Sequence, residues 1–349
     1  MIDVQKDYSE LYGRYSREST APLSDIEDEV EKDTVGGKGL QLTFTHGPKA
    51  DHGFRIDANS CDIVVPHAKD ISRCHCYLTF DKERRLILRD CSTNGTIVTY
   101  DGKGGKKRQN FTWILGGHRV PDKSETIVIR LHAALQFQIV IAKSTFPRLY
   151  SENVDDFLEG IAATVDLPLD ALGIQSVAST AAPSGTHTPM QDPILLEQET
   201  LGRSAYGVVT RVWDVSTGCE YASKRFTNLD KSDWEKEASL MRQSPHEHIV
   251  RLCFAMEKPL PQLVMEYVPL GHLEGQHRRR KISVEEAITA LQQGLSALVF
   301  LHEQSPPIVN RDIKPENLLV QSREPMHIKL GDFGLSKASE DLKTLCGAP

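Results

Sequence analysis

The sequence predicts two globular domains, an all-β sandwich followed by a domain that mixes strands and helices. The first prediction rests on short β-type runs separated by Gly, Asp and Asn turns between Leu40 and Ile141. The second rests on five further β-type runs broken by one helix, after which comes a long amphipathic helix. Residues 176–192 lie between the two and are rich in Ser, Thr, Ala and Pro without periodicity, which indicates a flexible linker.

Residues 1–34 are polar and acidic and contain few apolar side chains, so we expect a disordered acidic tail. The first domain is assigned to residues 35–145, and the linker to residues 146–193. The predicted strands of this domain are Leu40–Phe44, Asp62–Val65, Cys76–Phe80, Leu86–Arg89, Thr96–Tyr100, Thr126–Arg130 and Gln136–Ile141.

The second domain is assigned to residues 194–349. Its predicted strands are Leu195–Leu201, Val208–Val212, Tyr221–Phe226, Arg251–Phe254 and Gln262–Glu266, with a helix near Lys231–Arg242 before the fourth strand. Ser283 and Glu286 have the spacing of a capping box, so a second helix is expected to begin after Ser283. The predicted apolar stripe of this helix is Leu291, Leu295, Leu298 and Leu301.

Composition and charge argue against several classes of protein. At 349 residues, with 39% hydrophobic and 26% charged residues, the chain has the composition of globular domains. Its net charge of −7 argues against general nucleic-acid binding, and the basic runs Lys103–Arg108 and Arg278–Lys281 are better explained as solvated loops than as a nuclear-import signal. No apolar stretch approaches the roughly 18 residues of a membrane helix. We therefore expect neither nucleic acid nor membrane as a partner.

The seven cysteines are scattered and lack the spacing of a metal site. Reduced thiols are the simplest interpretation, and they indicate the nucleus or the cytoplasm. Cys74 and Cys76 alternate on a predicted strand, which favours burial of both over reactivity.

Two carboxylates in the second domain carry the strongest functional signal. Asp312 lies in the segment Asn310–Asn317, and Asp332 begins the triplet Asp332-Phe333-Gly334 fifteen residues after Asn317. The Asp312 carboxylate suits the role of a proton acceptor. The Asp332 carboxylate, together with the side-chain amide of Asn317, suits the binding of a divalent cation. The alternative is that these are ordinary charged residues of solvated loops. That alternative requires Lys314 and these positions to match one catalytic pattern by accident.

This order of motifs resembles the protein kinase family, which implies an enzyme that uses ATP and Mg²⁺. Leu201–Val209 is similar to the glycine-rich loop over the nucleotide phosphates, although Ser204 replaces its middle glycine. Alone, that segment is equally compatible with an ordinary hairpin. The ATP-binding residues that the resemblance implies are Leu201, Gly202, Ser204, Gly207, Val209, Ala222, Lys224, Met265, Glu266, Val268 and Leu319.

The resemblance also implies a role for each catalytic residue. Asp312 would accept or orient the hydroxyl proton of the substrate, and Lys314 would steady the γ-phosphate. Lys224 would grip the α- and β-phosphates and pair with Glu237. The metal-binding residues would be Asn317 and Asp332.

The segment Lys314-Pro315-Glu316 resembles serine/threonine kinases rather than tyrosine kinases. Lys343–Gly347 is similar to the calcium/calmodulin-kinase-like group, and within it to the checkpoint kinases, which implies that Thr344 is the activating phosphosite. Asn310 stands where the family has His, and we expect a looser contact with Phe333. The chain ends inside the expected activation segment, so we interpret it as a fragment, an incomplete gene model or a splice product.

Three segments of the first domain, Cys61–Val64, Ile71–His75 and Cys91–Thr96, together resemble the signature of the forkhead-associated (FHA) domain, a β-sandwich that binds phosphothreonine. Ordinary turn chemistry is the alternative for Ser72 or Asn94 taken singly. The phosphopeptide-binding residues that the resemblance implies are Ser72, Arg73 and Asn94, with His75 bracing the loop.

One part of the FHA signature is absent. A Gly-Arg pair is expected just before Cys61, but Asp57 and Ala58 stand in that region. Because an arginine supplies much of the binding energy for a phosphate, we expect weak or altered phosphopeptide binding. Arg55 and Arg73 are the candidates that could replace the missing arginine.

Two functions therefore remain open. The first is ATP-dependent phosphorylation of Ser or Thr on protein substrates, with recruitment to phosphothreonine-containing proteins. The alternative is a phosphopeptide-binding adaptor with an inactive, truncated kinase lobe. Intact Lys224, Asp312, Asn317 and Asp332 favour the first function, whereas the missing large-lobe segment favours the second.

Overall fold

The computed structural model describes residues 2–4, 38–40, 42–44, 48, 53–57, 61–65, 71–117, 120, 125–141, 147–160, 192–204, 207–226, 231–257, 260–333 and 337–338. The chain divides into two compact units, one comprising 1–194 with 215–218 and the other comprising 195–214 with 219–349. Among the described helices, none combines the length and the apolarity needed to cross a membrane.

The first unit is built from eleven described strands and one helix. They are β1 Ile2–Val4, β2 Lys38–Leu40, β3 Phe54–Asp57, β4 Ile63–Val64, β5 Cys76–Phe80, β6 Arg85–Asp90, β7 Thr96–Tyr100, β8 Lys103–Arg108, β9 Thr112–Gly117, β10 Ile127–His132, β11 Leu135–Ile139 and α1 Pro147–Leu158. One sheet has the order β2-β1-β11-β10-β7-β8 and the other β4-β3-β5-β6-β9. This confirms the predicted β-sandwich.

Alternating burial explains why these segments form a sandwich. In β7, Val98 and Tyr100 are buried while Ile97 and Thr99 are half-buried, as expected when successive side chains point to opposite faces of a sheet. The hairpin to β8 turns at Asp101 and Gly102, which both have positive φ, 49° and 75°. Two such residues suit a tight two-residue hairpin turn.

Three expectations for the first unit are corrected. Lys103–Arg108 is a solvent-exposed strand at the edge of a sheet rather than a loop, because an edge strand needs no apolar face when charged side chains cover it. Ile2–Val4 pairs with β11 and β2, although it lies within the tail that was expected to be disordered. The segment called a linker contains α1, which buries Val154 and Phe157.

Helix α1 belongs to the core of the first unit. The Phe157 ring lies 5.6 Å from the Phe54 ring and 5.3 Å from the Phe80 ring, centroid to centroid. Arg84, in the turn between β5 and β6, donates two hydrogen bonds of 2.8 Å to the Asp155 carboxylate. The helix therefore closes one face of the sheet that contains β3 and β5.

The second unit is built from nine described strands and three α-helices. They are β12 Leu195–Ser204, β13 Gly207–Asp214, β14 Glu220–Phe226, α2 Lys231–Arg242, β15 Leu252–Met256, β16 Gln262–Glu266, α3 Leu273–Arg279, α4 Val284–His302, β17 Ile308–Val309, β18 Leu318–Arg323, β19 Met326–Leu330 and β20 Lys337–Ala338. The main sheet has the order β12-β13-β14-β16-β15, and the pairs β17-β20 and β18-β19 stand apart. Arg278 and Arg279 end α3, so the second basic run is partly helical rather than a loop.

Helix α4 begins where the capping box was predicted. The Ser283 side chain accepts from the Glu286 amide, and the Glu286 carboxylate accepts from the Ser283 amide. The predicted leucine stripe does not form one buried face: Leu301 is buried, whereas Leu291 and Leu295 are 63% and 51% exposed. They share an apolar, exposed helix face with Val284, Ile288 and Val299.

We expect Phe157→Ala to destabilise the first unit by about 3–5 kcal/mol, because it leaves a cavity between α1 and the sheet. Hydrogen–deuterium exchange read by mass spectrometry should show faster exchange in β3 and β5. The matched control is Leu158→Ala, since Leu158 is the next residue and is exposed. Equal exchange in the two variants would mean that α1 does not support the sheet.

Candidate functional site

The loop after β17 gathers three of the predicted catalytic residues. The Asp312 carboxylate accepts a hydrogen bond of 2.8 Å from Lys314 Nζ and one of 2.9 Å from Asn317 Nδ2, which also donates to the Asp312 carbonyl oxygen. Hydrogen bonds from Lys314, and then from Asn317, lower the pKa of the Asp312 carboxyl. The group is therefore an anion at neutral pH, positioned to accept a proton or a hydrogen bond.

Asn310 links this loop to the segment that contains Asp332. Its Oδ1 accepts from the Asp312 amide at 2.9 Å, and its Nδ2 donates to the Asp332 carbonyl oxygen at 3.4 Å. Asn310 is 9% exposed. Because a side-chain amide has both a donor and an acceptor, Asn310 can bridge the backbones of Asp312 and Asp332. A looser contact was expected at this position.

Asp332 has an unusual backbone conformation. Its φ of 53° lies in the left-handed region, which non-glycine residues seldom adopt. The next residue, Phe333, is 1% exposed and belongs to the core cluster that contains Trp234, Met241 and Leu301. Burial of the Phe333 ring therefore offsets the energetic cost of the left-handed backbone at Asp332, whose carboxylate stays outside the core. Gly334 lies outside the described residues.

Lys224 joins three elements of the second unit. From β14, its Nζ donates to the two carboxylate oxygens of Glu237 on α2 at 2.7 and 2.9 Å, and to Asp332 Oδ1 at 3.3 Å. Lys224 and Glu237 are buried, whereas the Asp332 side chain is 38% exposed. Burial raises the pKa of the Glu237 carboxyl, and the Lys224 ammonium opposes that rise.

Strand register places further predicted residues beside Lys224. Val209 lies opposite Lys224, and Ala222 lies opposite Met265. Since directly opposed residues and residues two apart share a sheet face, all four side chains lie on one face. Met265 packs against the same core cluster as Leu319 of β18.

The β12–β13 hairpin contains the predicted glycine-rich segment. Leu201 is 44% exposed, and a Cβ built on Gly202 meets nothing within 4 Å. At Gly207 a Cβ would collide with the backbone carbonyl oxygen of Arg225, so only glycine fits against β14 there. Ser204 ends β12, while residues 205 and 206 lie outside the described residues.

The segment after β16 contains the other predicted nucleotide contacts. The Glu266 amide donates to the Arg251 carbonyl oxygen at 3.0 Å, and the Glu266 carboxylate lies 3.0 Å from Lys329 Nζ. Val268 is buried. The Arg211 guanidinium lies 4.6 Å from the centre of the Tyr267 ring, a contact that the sequence did not indicate.

In the first unit, the loops before β5 and β7 meet at the predicted phosphopeptide residues. Ser72 Oγ accepts from the Thr93 amide at 3.0 Å and lies 3.0 Å from the Thr93 hydroxyl oxygen. The Ser72 amide donates to Nδ1 of buried His75 at 3.2 Å. Burial, with the nearby Lys107 charge, lowers the pKa of His75 to about 4, so His75 is a neutral acceptor. Arg73 is exposed, and Asn94 is half-buried beside Thr93.

Arg55 also supports the loop that contains Ser72 and Arg73. Its Nε is paired with the buried carboxylate of Asp57 at 2.5 Å, and its terminal nitrogen donates to the Arg73 carbonyl oxygen at 2.9 Å. The Asp57 carboxylate thus occupies one edge of the Arg55 guanidinium. Of the two arginines that could replace the missing one, Arg73 is the exposed one.

A buried aspartate that the sequence did not single out organises the other loop. Asp90 accepts from the Ser92 hydroxyl at 2.7 Å, the Thr96 hydroxyl at 2.6 Å and the Asn110 amide at 2.8 Å. Gly95 has a φ of 80°, and a Cβ there would approach the Arg108 carbonyl oxygen at 2.8 Å. These contacts fix the turn that presents Asn94. The sequence did offer a signal for this role, because Asp90 directly follows the predicted strand Leu86–Arg89 and lies beside the Ser-Thr-Asn-Gly turn.

Models of two known domain families match this chain. The FHA domain model matches residues 55–127, and the protein kinase domain model matches residues 195–349. The chain carries an FHA domain followed by a protein kinase domain. This confirms the resemblance drawn from the motifs and the order of the two folds.

Known protein kinases align either with most of this chain or with just under half of it. Serine/threonine-protein kinase RAD53 of Saccharomyces cerevisiae is 23% identical over 345 residues, which cover 93% of this chain and 38% of RAD53. Calcium/calmodulin-dependent protein kinase type IV of Rattus norvegicus is 36% identical over 168 residues, which cover 46% of this chain and 35% of that protein. The chain thus spans less than two fifths of the length of each.

A solved structure supports the fold. The crystal structure of Rad53 1-466 in complex with AMP-PNP aligns with a TM-score of 0.52 and 21% identity, covering 90% of this chain and 71% of that chain. At this identity the likeness establishes the architecture alone. The predicted phosphosite of the kinase domain, Thr344, lies outside the described residues.

We expect Gly207→Ala to destabilise the kinase domain by about 1–3 kcal/mol, because its Cβ collides with a backbone atom that cannot rotate away. Gly202→Ala is the matched control, since its Cβ enters open space. Thermal unfolding of the two variants measures the difference. Equal losses of stability would contradict the close packing of Gly207 against β14.

Proposed function

We propose that the kinase domain transfers the γ-phosphoryl group of ATP to Ser or Thr hydroxyls of protein substrates. The observation that carries this proposal is the convergence of Lys224, Asp312 and Asp332. Lys224 contacts Asp332 directly, and Asn310 joins the backbones of Asp312 and Asp332. A cation and two carboxylates at one site suit a triphosphate with its metal ion and a hydroxyl nucleophile.

The oxygen donors present fit Mg²⁺. Asp332 offers a carboxylate and Asn317 an amide oxygen, and both are hard ligands of the kind that Mg²⁺ prefers. The Gly331 amide donates to the Asn317 carbonyl oxygen at 2.8 Å, which holds the two segments side by side. When bound, Mg²⁺ neutralises charge on the phosphate oxygens.

Each catalytic residue has a role in this proposal. Asp312 accepts the proton, or orients the hydroxyl, of the substrate, and Lys314 exchanges its contact with Asp312 for one with the γ-phosphate. Lys224 holds the α- and β-phosphates, and Glu237 keeps its ammonium in place. The carboxylate of Asp332 then lies on the metal side of the phosphates.

The nucleotide base occupies the face of the sheet beside Lys224. Val209 and Ala222 cover it from above and Leu319 from below, and Met265 limits the depth of the site. Backbone groups of Glu266 and Val268 bind its edge. The phosphates lie under the hairpin that contains Leu201, Gly202, Ser204 and Gly207, where the open space at Gly202 allows close approach.

We infer that phosphorylation of Thr344 activates the enzyme by pairing with Arg311, which directly precedes Asp312. A phosphate at that site would order the activation segment through an arginine contact. The proposed location is the nucleus or the cytoplasm, which the scattered cysteines of the sequence support.

The FHA domain is proposed to recruit phosphothreonine-containing proteins. Ser72 and Arg73 bind the phosphate, and Asn94 holds the backbone of the peptide. The position of Arg73 on the loop that Arg55 braces supports its use in place of the missing Gly-Arg pair. Arg55 acts as a positioning residue, because its guanidinium is engaged by Asp57 and by the loop itself.

Asp312→Asn should lower the rate of phosphoryl transfer about 10²–10⁴-fold while leaving ATP affinity within a few fold, because it removes the proton acceptor. Transfer from labelled ATP to a Ser/Thr peptide library measures the rate, in this chain and in any longer product of the same gene. Glu316→Gln, an exposed carboxylate in the same loop, is the control. Full activity in Asp312→Asn would contradict the proposed mechanism, and no transfer by any wild-type form would favour the adaptor function.

Ser72→Ala and Arg73→Ala should each weaken phosphothreonine-peptide binding at least about tenfold, because each removes a charge-assisted hydrogen bond. Isothermal titration of the full chain with a phosphothreonine peptide library measures the change. Lys82→Ala is the control, since Lys82 is an exposed residue of the turn between β5 and β6. Tight binding that survives Arg73→Ala but is lost in Arg55→Ala would identify Arg55 as the phosphate ligand instead.

A further inference from the structure

Two cysteine thiols meet between the loops of the FHA domain. Cys74 follows Ser72 by two residues, and Cys91 precedes Thr93 by two. The Cys74 and Cys91 side chains lie close enough to interact, and the Cys74 thiol donates a hydrogen bond of 3.1 Å to the Tyr77 hydroxyl oxygen. Neither cysteine is fully buried, whereas Cys76, on the adjoining strand, is 0% exposed. The expectation that Cys74 and Cys76 are both buried is therefore wrong for Cys74.

The backbones around the two cysteines are held together on both sides. The Cys91 amide donates to the His75 carbonyl oxygen at 2.9 Å, and the Thr93 amide donates to Ser72 Oγ at 3.0 Å. A disulfide requires Cα atoms roughly 4.4–6.8 Å apart. The two contacts keep the loops side by side on either side of the thiols, so we expect that a bridge can form without a change of fold.

Cys74 is set apart from the other described cysteines of this domain. Its hydrogen bond with Cys91 is the largest cause that lowers the pKa of the Cys74 thiol, and Tyr77 and the Arg55 charge add to it. Burial raises the pKa of the Cys61 and Cys76 thiols instead. The Arg55 guanidinium, which donates to the carbonyl oxygen of neighbouring Arg73, favours the thiolate of Cys74, and the thiolate is the reactive form, so we assign Cys74 as the nucleophile.

We propose that Cys74 and Cys91 form a reversible disulfide under hydroperoxide, and that this bond weakens phosphopeptide binding by the FHA domain. The Cys74 thiolate attacks one peroxide oxygen, the O–O bond breaks, and a sulfenic acid and hydroxide form. The Cys91 sulfur then attacks the Cys74 sulfur, the S–O bond breaks, and water leaves with the Cys91 proton. Two thiols are oxidised to one disulfide, and one peroxide is reduced to two waters after the hydroxide takes a proton.

The effect on binding follows from the position of the bond and rests on the proposed phosphopeptide function. The disulfide brings the two sulfur atoms to about 2.05 Å from each other, closer than any non-bonded contact. It also removes the Cys74 contact with Tyr77. Ser72 and Arg73 precede Cys74 directly, so their groups shift relative to Asn94.

The first experiment tests the disulfide without reference to binding. The full chain is treated with hydrogen peroxide, alkylated and digested, and mass spectrometry should find a cross-linked peptide that joins Cys74 to Cys91 and disappears after reduction. Cys61 and Cys76 should remain alkylated as internal controls. In Cys91→Ser, Cys74 should stop at the sulfenic acid, which dimedone traps. Cys74 and Cys91 that stay alkylatable at peroxide levels that oxidise free glutathione would overturn the proposal.

The second experiment tests the consequence. Titration with a phosphothreonine peptide should show an affinity about tenfold lower in the oxidised chain than in the reduced chain, with recovery after reduction. The variant with Cys74→Ser and Cys91→Ser should bind equally under both conditions, and its thermal unfolding should match that of the reduced wild type. A cross-linked chain with unchanged affinity would overturn the regulatory effect. A reduced chain that binds no phosphopeptide would overturn the proposed FHA function while the disulfide result stands.

Discussion

The kinase domain depends on one buried ammonium group. Lys224 Nζ contacts both oxygens of Glu237 and one oxygen of Asp332, so it connects the main sheet, helix α2 and the segment after β19. A single carboxylate would neutralise the charge of a buried lysine. Lys224 has two carboxylate partners, and the second one, Asp332, is the more exposed. In the proposed function a metal-bound triphosphate would complete this arrangement, because Asp332 would hold the metal ion and Lys224 the phosphates.

The catalytic loop is tied to this centre by backbone contacts. Asn310 spans the backbones of Asp312 and Asp332, and burial of Phe333 holds Asp332 in its left-handed conformation. The two carboxylates are therefore positioned by the same junction. In the FHA domain a comparable junction exists between Ser72 and Thr93, with Cys74 and Cys91 beside it. In both domains, short polar contacts between loops position the site residues that lie outside the strands.

Short runs of strand-forming residues and apolar residues at helical spacing were predictable from the sequence. Strands β5, β7 and β16 and helix α2 have the predicted bounds, although only β7 alternates strictly between buried and half-buried residues. Strand β8 was missed because Lys103–Arg108 has no apolar face, and α1 because its two buried side chains lie in a mostly polar segment. Motif order located Lys224, Asp312 and Asp332. The roles of Asn310 and Thr93 depend on contacts between loops, which no local pattern encodes, whereas the turn Ser92–Gly95 was a local signal for Asp90.

Binding of an ATP analogue that cannot be hydrolysed, titrated with and without Mg²⁺, tests the central claim most directly. Wild-type chain should bind it more tightly when Mg²⁺ is present, whereas Asp332→Asn should lose that dependence and Lys224→Met should lose affinity under both conditions. Identical affinities in all three chains, with no effect of Mg²⁺, would mean that the charges around Lys224 do not form a nucleotide site.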